Sequence, residues 1–201
     1  MQTLSQIRQR IASNLRRNDT TVYPNVIDDC IRSAITMYQG KPFWFLRKIE
    51  NITLLQGESS VALPSDYASH PTFRIQVNNY WRANAAGFDY YTDYQEFQQK
   101  FADKITDGTP RNCSVVNGTL YTDKLASDDY PIEVVYFKKD VTLPVADTDI
   151  SVWFDEGADA IRTQAMAMYK DEALEYEASD RDWARAAYYL NELYKQNNER
   201  F

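Results

Sequence analysis

Two amphipathic helices are predicted at the start of the chain, because apolar residues recur at helical spacing over residues 4–15 and again over 27–38. Polar residues 18–21 separate them. Pro24 fits the first turn of the second helix, and Gly40 stops that helix. The short loop favours an antiparallel helical hairpin.

The middle of the chain has strand patterns instead. Alternating residues predict a short strand over 59–63, which leads into a turn, and another strand over 72–82. Residues 92–101 are predicted to interrupt the strands as a short helix, with Thr or Asp at its first two positions as the cap. Asn117-Gly118 readily adopts the positive φ angles of a type I′ turn and predicts a hairpin, and a last strand contains Ile132.

The end of the chain is helical again. One helix is predicted from about Trp153 to Tyr176. Ser179 resembles an N-cap that is followed by an acidic first turn, so a last helix is predicted to begin there. The apolar stripe of this last helix is predicted at Trp183, Ala187, Leu190 and Tyr194.

These elements predict an α+β fold. The helices at the two ends would pack as one antiparallel bundle, a discontinuous domain of residues 1–46 and 150–201. A small antiparallel β domain with one short helix would be inserted between them and cover residues 47–149. Pro144 is the only residue in 140–152 that gives a clear structural signal, so the path of this stretch is the least defined by the sequence.

Composition and charge narrow the classes of function that the protein could have. Hydrophobic residues make up 44% of the 201 residues, enough for a substantial core, and no apolar run approaches the roughly 20 residues that cross a bilayer. The net charge of −7 is uneven, with +4 over residues 1–50, −6 over 51–154 and −5 over 155–201. Lys and Arg do not cluster as a stable grip on nucleic acid requires, although an acidic face could let DNA pass.

The sequence contains no motif for catalysis or metal binding. Cys30 and Cys113 lie far apart without a CxxC or Cys/His spacing, which predicts buried free thiols rather than zinc ligands or a disulfide. The only histidine, His70, has no nucleophile motif near it, and no glycine-rich phosphate loop exists. We therefore expect no catalytic residue, no metal site and no cofactor.

A family resemblance rests on the order of four motifs. They are Ile31-Arg32-Ser33-Ala34-Ile35 with Phe43-Trp44-Phe45-Leu46, Leu63-Pro64-Ser65-Asp66-Tyr67 leading into Phe73-Arg74-Ile75, Gly108-Thr109-Pro110-Arg111 with the 117–121 hairpin and the strand 132–139, and an Ala-rich helix from Asp155 followed by a helix with Trp183. In this order the chain resembles, over nearly its whole length, the head-to-tail adaptor family of tailed phages. The likeness is greatest to the tubular-A proteins of short-tailed phages.

The resemblance implies a structural, non-enzymatic virion protein of the phage neck or tail, assembled in the host cytoplasm. Such adaptors form a ring, usually of twelve copies, that binds the portal protein on one side and a downstream tail or nozzle protein on the other. DNA would pass through the ring transiently and without sequence preference, and no membrane is involved. A ring of this kind repeats a heterologous interface until the rotation closes.

Two sets of site residues follow from the resemblance. In related adaptors the C-terminal segment often reaches into the portal, so the portal-docking candidates are Tyr194, Arg200 and Phe201. If the ring encloses a lumen, acidic C-terminal helices are the candidates to line it, because like charge keeps DNA from sticking. The lumen-lining candidates are Glu172, Glu175 and Glu177.

Three other interpretations remain open at the level of sequence. The chain could be a different structural part of a phage neck or tail. It could be a receptor-binding module that uses tyrosines such as Tyr90, Tyr91 and Tyr94, because tyrosine clusters serve binding sites and interfaces alike. It could also be a cell-wall-degrading virion enzyme that uses Asp155 and Glu156, although adjacent acids are more often solvated surface.

Overall fold

The structure is a computed structural model that describes residues 2–16, 23–39, 41–83, 87–101, 106–139 and 143–199. The chain divides into two compact units. The helical unit comprises the described residues of 1–46 and 140–201, and the β unit comprises those of 47–139.

The described residues contain five α-helices. They are α1 (Leu4–Arg16), α2 (Pro24–Tyr38), α3 (Tyr94–Phe101), α4 (Ala158–Glu172) and α5 (Tyr176–Glu199). The structure confirms the two N-terminal helices that the apolar periodicity predicts. Pro24 lies in the first turn of α2, as expected. None of the helices in these ranges is long and apolar enough to span a membrane.

Helix α4 contacts α1, α2 and α5 and is buried on almost every side. Ala160, Ala165 and Ala167 are fully buried, and such small side chains let neighbouring helices approach closely. The four helices of the unit thus share one core around α4. Their antiparallel arrangement as a bundle stays a prediction.

An ion-pair network ties α1 to α2 and to the segment before α4. The Arg8 guanidinium donates two hydrogen bonds of 2.6 Å to the Asp28 carboxylate and lies 2.8 Å from that of Asp147. The backbone amide of Leu4 donates to the Asp149 carbonyl at 2.9 Å. These bonds attach residues 147–149 to the helical unit, whereas the sequence-based boundary at residue 150 had assigned them to the β insert.

An aromatic cluster joins the two ends of the chain. The buried Trp153 ring lies 5.0 Å from Phe45, 5.7 Å from Phe43 and 6.0 Å from Tyr38, measured between ring centroids. Tyr194 packs on Phe43 at 5.2 Å. Edge-to-face and tilted contacts of this kind stabilise aromatic pairs beyond the area they bury. The aromatic motif after α2 therefore packs inside the helical unit.

The last helix begins earlier than its sequence predicts. Ser179 is not an N-cap but a buried residue inside α5, where its hydroxyl donates to the Ala167 carbonyl at 3.2 Å and also bonds the Asp171 carboxylate. The predicted stripe is right in part, since Trp183, Leu190 and Tyr194 are half-buried whereas Ala187 is exposed. Polar residues of α5 are buried as well, because Lys170 and Asp171 of α4 bind Asp182 and Ser179. The residues of α5 that are buried are Ser179, Asp182, Ala186, Leu193 and Asn197.

The β unit contains ten described strands. They are β1 (Arg47–Leu54), β2 (Ser60–Ala62), β3 (Tyr67–Val77), β4 (Tyr80–Arg82), β5 (Asp89–Tyr91), β6 (Asp107–Gly108), β7 (Asn112–Val116), β8 (Thr119–Thr122), β9 (Leu125–Ala126) and β10 (Tyr130–Lys138). One sheet has the order β1-β10-β3-β4, a second has β2-β8-β7-β5, and β6 pairs with β9. Residues of both four-stranded sheets, including Phe73, Ile132 and Leu120, share one apolar core.

Two details of the β unit differ from the prediction. The single strand expected over 72–82 is a hairpin of β3 and β4, because Asn78 and Asn79 turn the chain with φ angles of 51° and 65°. Only the first sheet is antiparallel throughout, since β5 pairs with β7, and β6 with β9, in parallel. The connection from β5 to β7 contains α3 and is long enough for a parallel crossover.

Other local predictions are confirmed. Asn117 and Gly118 have φ angles of 50° and 74° and join β7 to β8 as an antiparallel hairpin. Asp93 caps α3, because its carboxylate accepts a hydrogen bond of 2.8 Å from the amide of Gln95.

Candidate interaction surfaces

A tight turn with an unusual residue at its positive-φ position joins α4 to α5. The Glu175 amide donates to the Lys170 carbonyl at 2.8 Å, and the Leu174 amide donates to the Asp171 carbonyl at 3.1 Å. This is the hydrogen-bond pattern of a Schellman motif, in which the residue with positive φ is usually glycine. Here it is Leu174, with φ of 60° and a side chain that is 70% exposed. A strained backbone therefore presents an apolar side chain to solvent.

Buried bonds on both sides hold this turn in place. The Lys170 ammonium donates to the Asp182 carboxylate at 2.6 Å, with the two side chains 5% and 2% exposed. The Asp171 carboxylate accepts the Ser179 hydroxyl and, at 2.8 Å, the indole N–H of Trp183. Because both residues that precede the turn are clamped to α5, the backbone at Leu174 has little freedom to relax.

The three lumen-lining candidates all lie on this turn. Glu172 is exposed at the end of α4, Glu175 is half-buried in the connection, and Glu177 is exposed in the first turn of α5. Tyr176 lies among them with its side chain 61% exposed. We call residues 172–177 the acidic turn. The structure thus brings the predicted acids together, and it adds two exposed apolar residues that the sequence did not single out.

The portal-docking candidates have a different environment. Tyr194 lies on α5 and is half-buried, with its ring packed on Phe43. Arg200 and Phe201 lie outside the described residues. The structure therefore assigns Tyr194 a packing contact within the helical unit, and docking on a portal stays a prediction for all three residues.

An open polar groove lies beside α1 and Arg162 of α4 and has a volume of about 760 Å³. Arg162 on its wall bonds the exposed Asp159 at 2.8 Å, while Arg10 is exposed and forms no ion pair within the described part of the chain. Among the described residues no carboxylate lines this groove, but the Asp159 carboxylate at Arg162 and the Asp155 carboxylate at the Gln2 amide lie beside it. We call it the arginine groove; its main lining residues are Gln2, Gln6, Gln9, Arg10, Asn14 and Arg162.

Sequence reasoning did not find the arginine groove. Gln6 and Gln9 have the spacing of one face of α1, Gln2 precedes the helix, and Arg10 follows Gln9 directly. That amide-rich face was a usable signal for half of the groove. Arg162 joins it only through the packing of α4 on α1, which no sequence pattern reports.

The β unit has one cluster of ionisable groups. The Tyr136 hydroxyl donates to Asp66 at 2.5 Å and bonds Glu50 at 3.0 Å. The Lys48 ammonium lies 2.9 Å from carboxylate oxygens of both acids. In addition, the backbone amide of Lys139 donates to the carbonyl of Asp66 at 2.8 Å. The aspartate of the Leu63–Tyr67 motif therefore anchors the turn before β3 to β1 and β10.

The pKa values in this cluster show paired, structural charges. Burial raises the pKa of the Tyr136 hydroxyl, and its hydrogen bond to Asp66 raises it further. The hydrogen bond from Lys48, followed by that from Tyr136, lowers the pKa of Glu50. Each carboxylate is thus held ionised by a donor, and each donor is held protonated. The cluster acts as a tie between strands.

The remaining candidate groups are the two cysteines and Asp155. Cys30 and Cys113 are free and buried, as the sequence predicts. The Asp155 carboxylate accepts a hydrogen bond of 2.9 Å from the amide of Gln2. Within the ranges that the structure describes, no group of three or more His, Cys, Asp or Glu side chains is placed to hold a metal ion.

The fold is a mixed α and β one, and some of its charged groups, such as the Lys170–Asp182 pair and the cluster of Lys48, Glu50 and Asp66, tie elements together. The family comparison is specific. The chain matches the family described as SU10 adaptor protein over residues 2–200, and it belongs to that family. These are phage head-to-tail adaptors, so the protein is a virion component that interacts with other phage head or tail proteins. The comparison with curated proteins found no match.

Proposed function

We propose that the protein forms a ring of twelve copies between the portal and the tail, and that the genome leaves the head through this ring. The family match over residues 2–200 carries the proposal. The portal protein binds one side of the ring, and a tail or nozzle protein binds the other. Assembly takes place on the portal in the host cytoplasm, and the role requires no catalytic group.

Exposed apolar side chains on the helical unit support self-association. Tyr23, Leu174, Tyr176 and Tyr188 are all largely exposed. Of these, Leu174 and Tyr176 belong to one short turn, and neighbouring exposed apolar side chains favour a protein interface. A closed ring needs two different faces on each copy, and assembly on a template can supply affinity that isolated copies lack.

The acidic turn is proposed to face the channel. Glu172, Glu175 and Glu177 would place a band of negative charge around the exiting DNA, and repulsion from the phosphates would keep the DNA from binding. Tyr194, Arg200 and Phe201 are proposed to dock the C-terminal end on the portal.

Negative-stain microscopy of the protein mixed with its own portal tests the ring. We expect a ring of added density on one end of the portal, with twelve-fold symmetry in class averages. The protein alone and the portal alone are the controls. Portal particles that remain unchanged at saturating protein would show that the proposed function is wrong.

Charge reversal tests the channel. In phage that carry Glu172→Lys, Glu175→Lys and Glu177→Lys, we expect slower or incomplete DNA ejection, because the lysines attract phosphates. The matched control reverses three exposed acids elsewhere: Glu58, Glu96 and Glu156. Normal ejection by particles that contain the triple variant would remove the channel role of these acids.

A further inference from the structure

We propose that neighbouring copies in the ring join through the first sheet of the β unit, with the outer edge of β4 in one copy pairing with the outer edge of β1 in the next. This contact rests on the proposed function and supplies the two different faces that a heterologous ring requires. The sheet has the order β1-β10-β3-β4, so β1 and β4 are its opposite edges. The partner at each edge is therefore a second copy of this chain.

Strand β1 lacks the features that usually protect a sheet edge from pairing. Its eight residues include no proline, and they pair with β10 in unbroken register. A lysine that extended past the edge would oppose pairing, but the Lys48 ammonium lies 2.9 Å from carboxylate oxygens of both Glu50 and Asp66. Among the described residues, β1 pairs only with β10. The opposite edge of β1 therefore offers a backbone template about 27 Å long to another strand.

Exposed apolar side chains mark both edges of this sheet. In the described β unit, the exposed large hydrophobic residues are Ile49, Leu55, Tyr80 and Trp81. Ile49 lies within β1 and is 58% exposed, whereas Tyr80 and Trp81 lie in β4 and are 75% and 39% exposed. The described residues of the central strands β10 and β3 contribute none to this set. A strand that pairs at either edge would thus cover apolar surface as well as backbone groups.

Trp81 and Ile49 lie on the same face of the sheet. Residues opposite each other on paired strands share a face, and the register runs from Ile49 through Val135 to Thr72. Trp81 lies opposite Gln76, which is on the same side of β3 as Thr72 because side chains alternate along a strand. When two copies join edge to edge with the same face outward, Trp81 of one copy comes beside Ile49 of the next.

The strand directions also fit a repeat of copies in one orientation. All neighbouring strands of this sheet are antiparallel, so β1 and β4, the first and last of the four, run in opposite directions. Two copies placed side by side in the same orientation therefore join β4 to β1 as an antiparallel pair, the more stable kind. A two-fold pair of β1 with β1 would use one edge twice, and it would give a dimer rather than a ring.

Trp81 is held in place before any partner arrives. The Arg74 guanidinium lies over the Trp81 ring, 5.9 Å from its centroid. Arg74 is fixed in turn by a hydrogen bond of 2.7 Å to the Glu133 carboxylate. Tryptophan, tyrosine and arginine dominate the binding energy of many protein interfaces. An anchor that is already ordered loses little entropy on assembly, so Trp81 is suited to the centre of such a contact.

Cysteine cross-linking tests which edges meet. We expect Ile49→Cys with Trp81→Cys, assembled on the portal at saturating protein and then oxidised, to give a ladder of linked copies in a non-reducing gel. Opposite residues of an antiparallel pair have Cβ atoms about 5 Å apart, close enough for a disulfide. Asn51→Cys with Trp81→Cys covers the register two residues away and keeps Ile49. Each single variant should stay unlinked, because a heterologous contact needs one cysteine from each edge.

A lysine at the edge tests the contact by disruption. Ile49→Lys should raise the protein concentration needed for ring formation on the portal about tenfold or more, because it places a charge beside the pairing edge. Its urea midpoint should stay close to that of the wild type, since the side chain at this position is already exposed. Leu55→Lys is the matched control, because it makes the same change at an exposed leucine outside the edge strands and should leave ring formation unchanged.

The outcomes separate this contact from the proposed function. If the wild type forms rings and Ile49→Lys forms them equally well, the contact is wrong and the adaptor ring stands. The same holds if rings of both cysteine pairs are visible by microscopy but contain no linked copies. If Ile49→Cys alone gives linked dimers, β1 pairs with β1 by two-fold symmetry, and the contact is again wrong. If the wild type forms no ring on its portal, the proposed function fails first and the contact fails with it.

Discussion

The ammonium group of Lys170 on α4 donates a hydrogen bond of 2.6 Å to the carboxylate of Asp182 on α5, with both side chains almost completely buried. Arg185 approaches the other oxygen of the same carboxylate at 3.5 Å from an exposed position. Charged side chains are rarely buried unless they are paired. This pair therefore joins the two C-terminal helices directly beside the acidic turn.

Removing one partner of this pair should be costly. In Asp182→Ala the Lys170 ammonium would remain buried without its main acceptor, so we expect the free energy of unfolding to fall by about 3–5 kcal/mol. Urea unfolding followed by far-UV circular dichroism measures the loss. The control is the double variant Lys170→Met with Asp182→Leu, which removes both charges and should recover most of the stability. A double variant as unstable as Asp182→Ala would contradict the electrostatic explanation.

Asp66 should make the stability of the β unit depend on pH. Burial raises the pKa of its carboxyl group, but hydrogen bonds from Tyr136 and Lys48 outweigh this and hold the pKa below the ordinary value of 3.8. A carboxyl group whose pKa is lowered by folding contributes stability above its unfolded pKa. That contribution is lost as the pH falls through the lower, folded value.

Urea unfolding at a series of pH values tests this dependence. We expect the free energy of unfolding to decline below about pH 4. Asp66→Asn should cost about 1–3 kcal/mol at neutral pH and make the decline shallower. The control Glu58→Gln changes an exposed acid of the same unit and should leave both quantities unchanged. If the free energy of unfolding of Asp66→Asn falls equally steeply with decreasing pH, other groups cause the acid sensitivity.

Helices and hairpins were predicted correctly where residues close together in the sequence determine the local structure. Apolar periodicity gave α1 and α2, and Asn117-Gly118 gave the β7–β8 hairpin. The start of α5 was missed because the residue with positive φ after α4 is Leu174 rather than a glycine, so the usual stop signal is absent. Ser179 looks like a cap by itself, but contacts with α4 decide its position.

The candidate surfaces were predictable only in part. Glu172, Glu175 and Glu177 are neighbours in sequence, so one short turn could bring them together. The Asn78-Asn79 pair was a turn signal of the same local kind and could have been recognised. The arginine groove depends on tertiary packing, since Arg10 and Arg162 come from helices at opposite ends of the chain. The strain at Leu174 likewise becomes visible only in the backbone angles.

Cys30 and Cys113 are expected to resist thiol reagents in the folded protein. Burial, with added repulsion from Glu172 and Asp29, raises the pKa of Cys30 to about 12. Burial also raises the pKa of Cys113. Because the thiolate is the reactive form, neither should react with Ellman's reagent at neutral pH within minutes, whereas both should react after unfolding in urea. Rapid reaction in the native state, assigned with the Cys30→Ser and Cys113→Ser variants, would contradict this burial.

Gly157, directly before α4, should not tolerate a side chain. A Cβ atom there would lie 2.7 Å from the ring carbon Cε3 of Trp153. The Trp153 ring cannot move aside, because it is buried against Tyr38 and Phe45. We expect Gly157→Ala to lower the free energy of unfolding by about 1–3 kcal/mol, as overpacking of a core commonly does.

Two variants isolate the clash from the general effect of replacing a glycine. Gly108→Ala is the matched control, because its Cβ would meet only the flexible Lys124 side chain at 3.2 Å. It should change the unfolding free energy by less than Gly157→Ala does. Trp153→Phe introduces a smaller ring, so Gly157→Ala should cost less in that background than in the wild type. Equal costs in the two backgrounds, measured by a double-mutant cycle in urea, would show that Trp153 does not limit the space at residue 157.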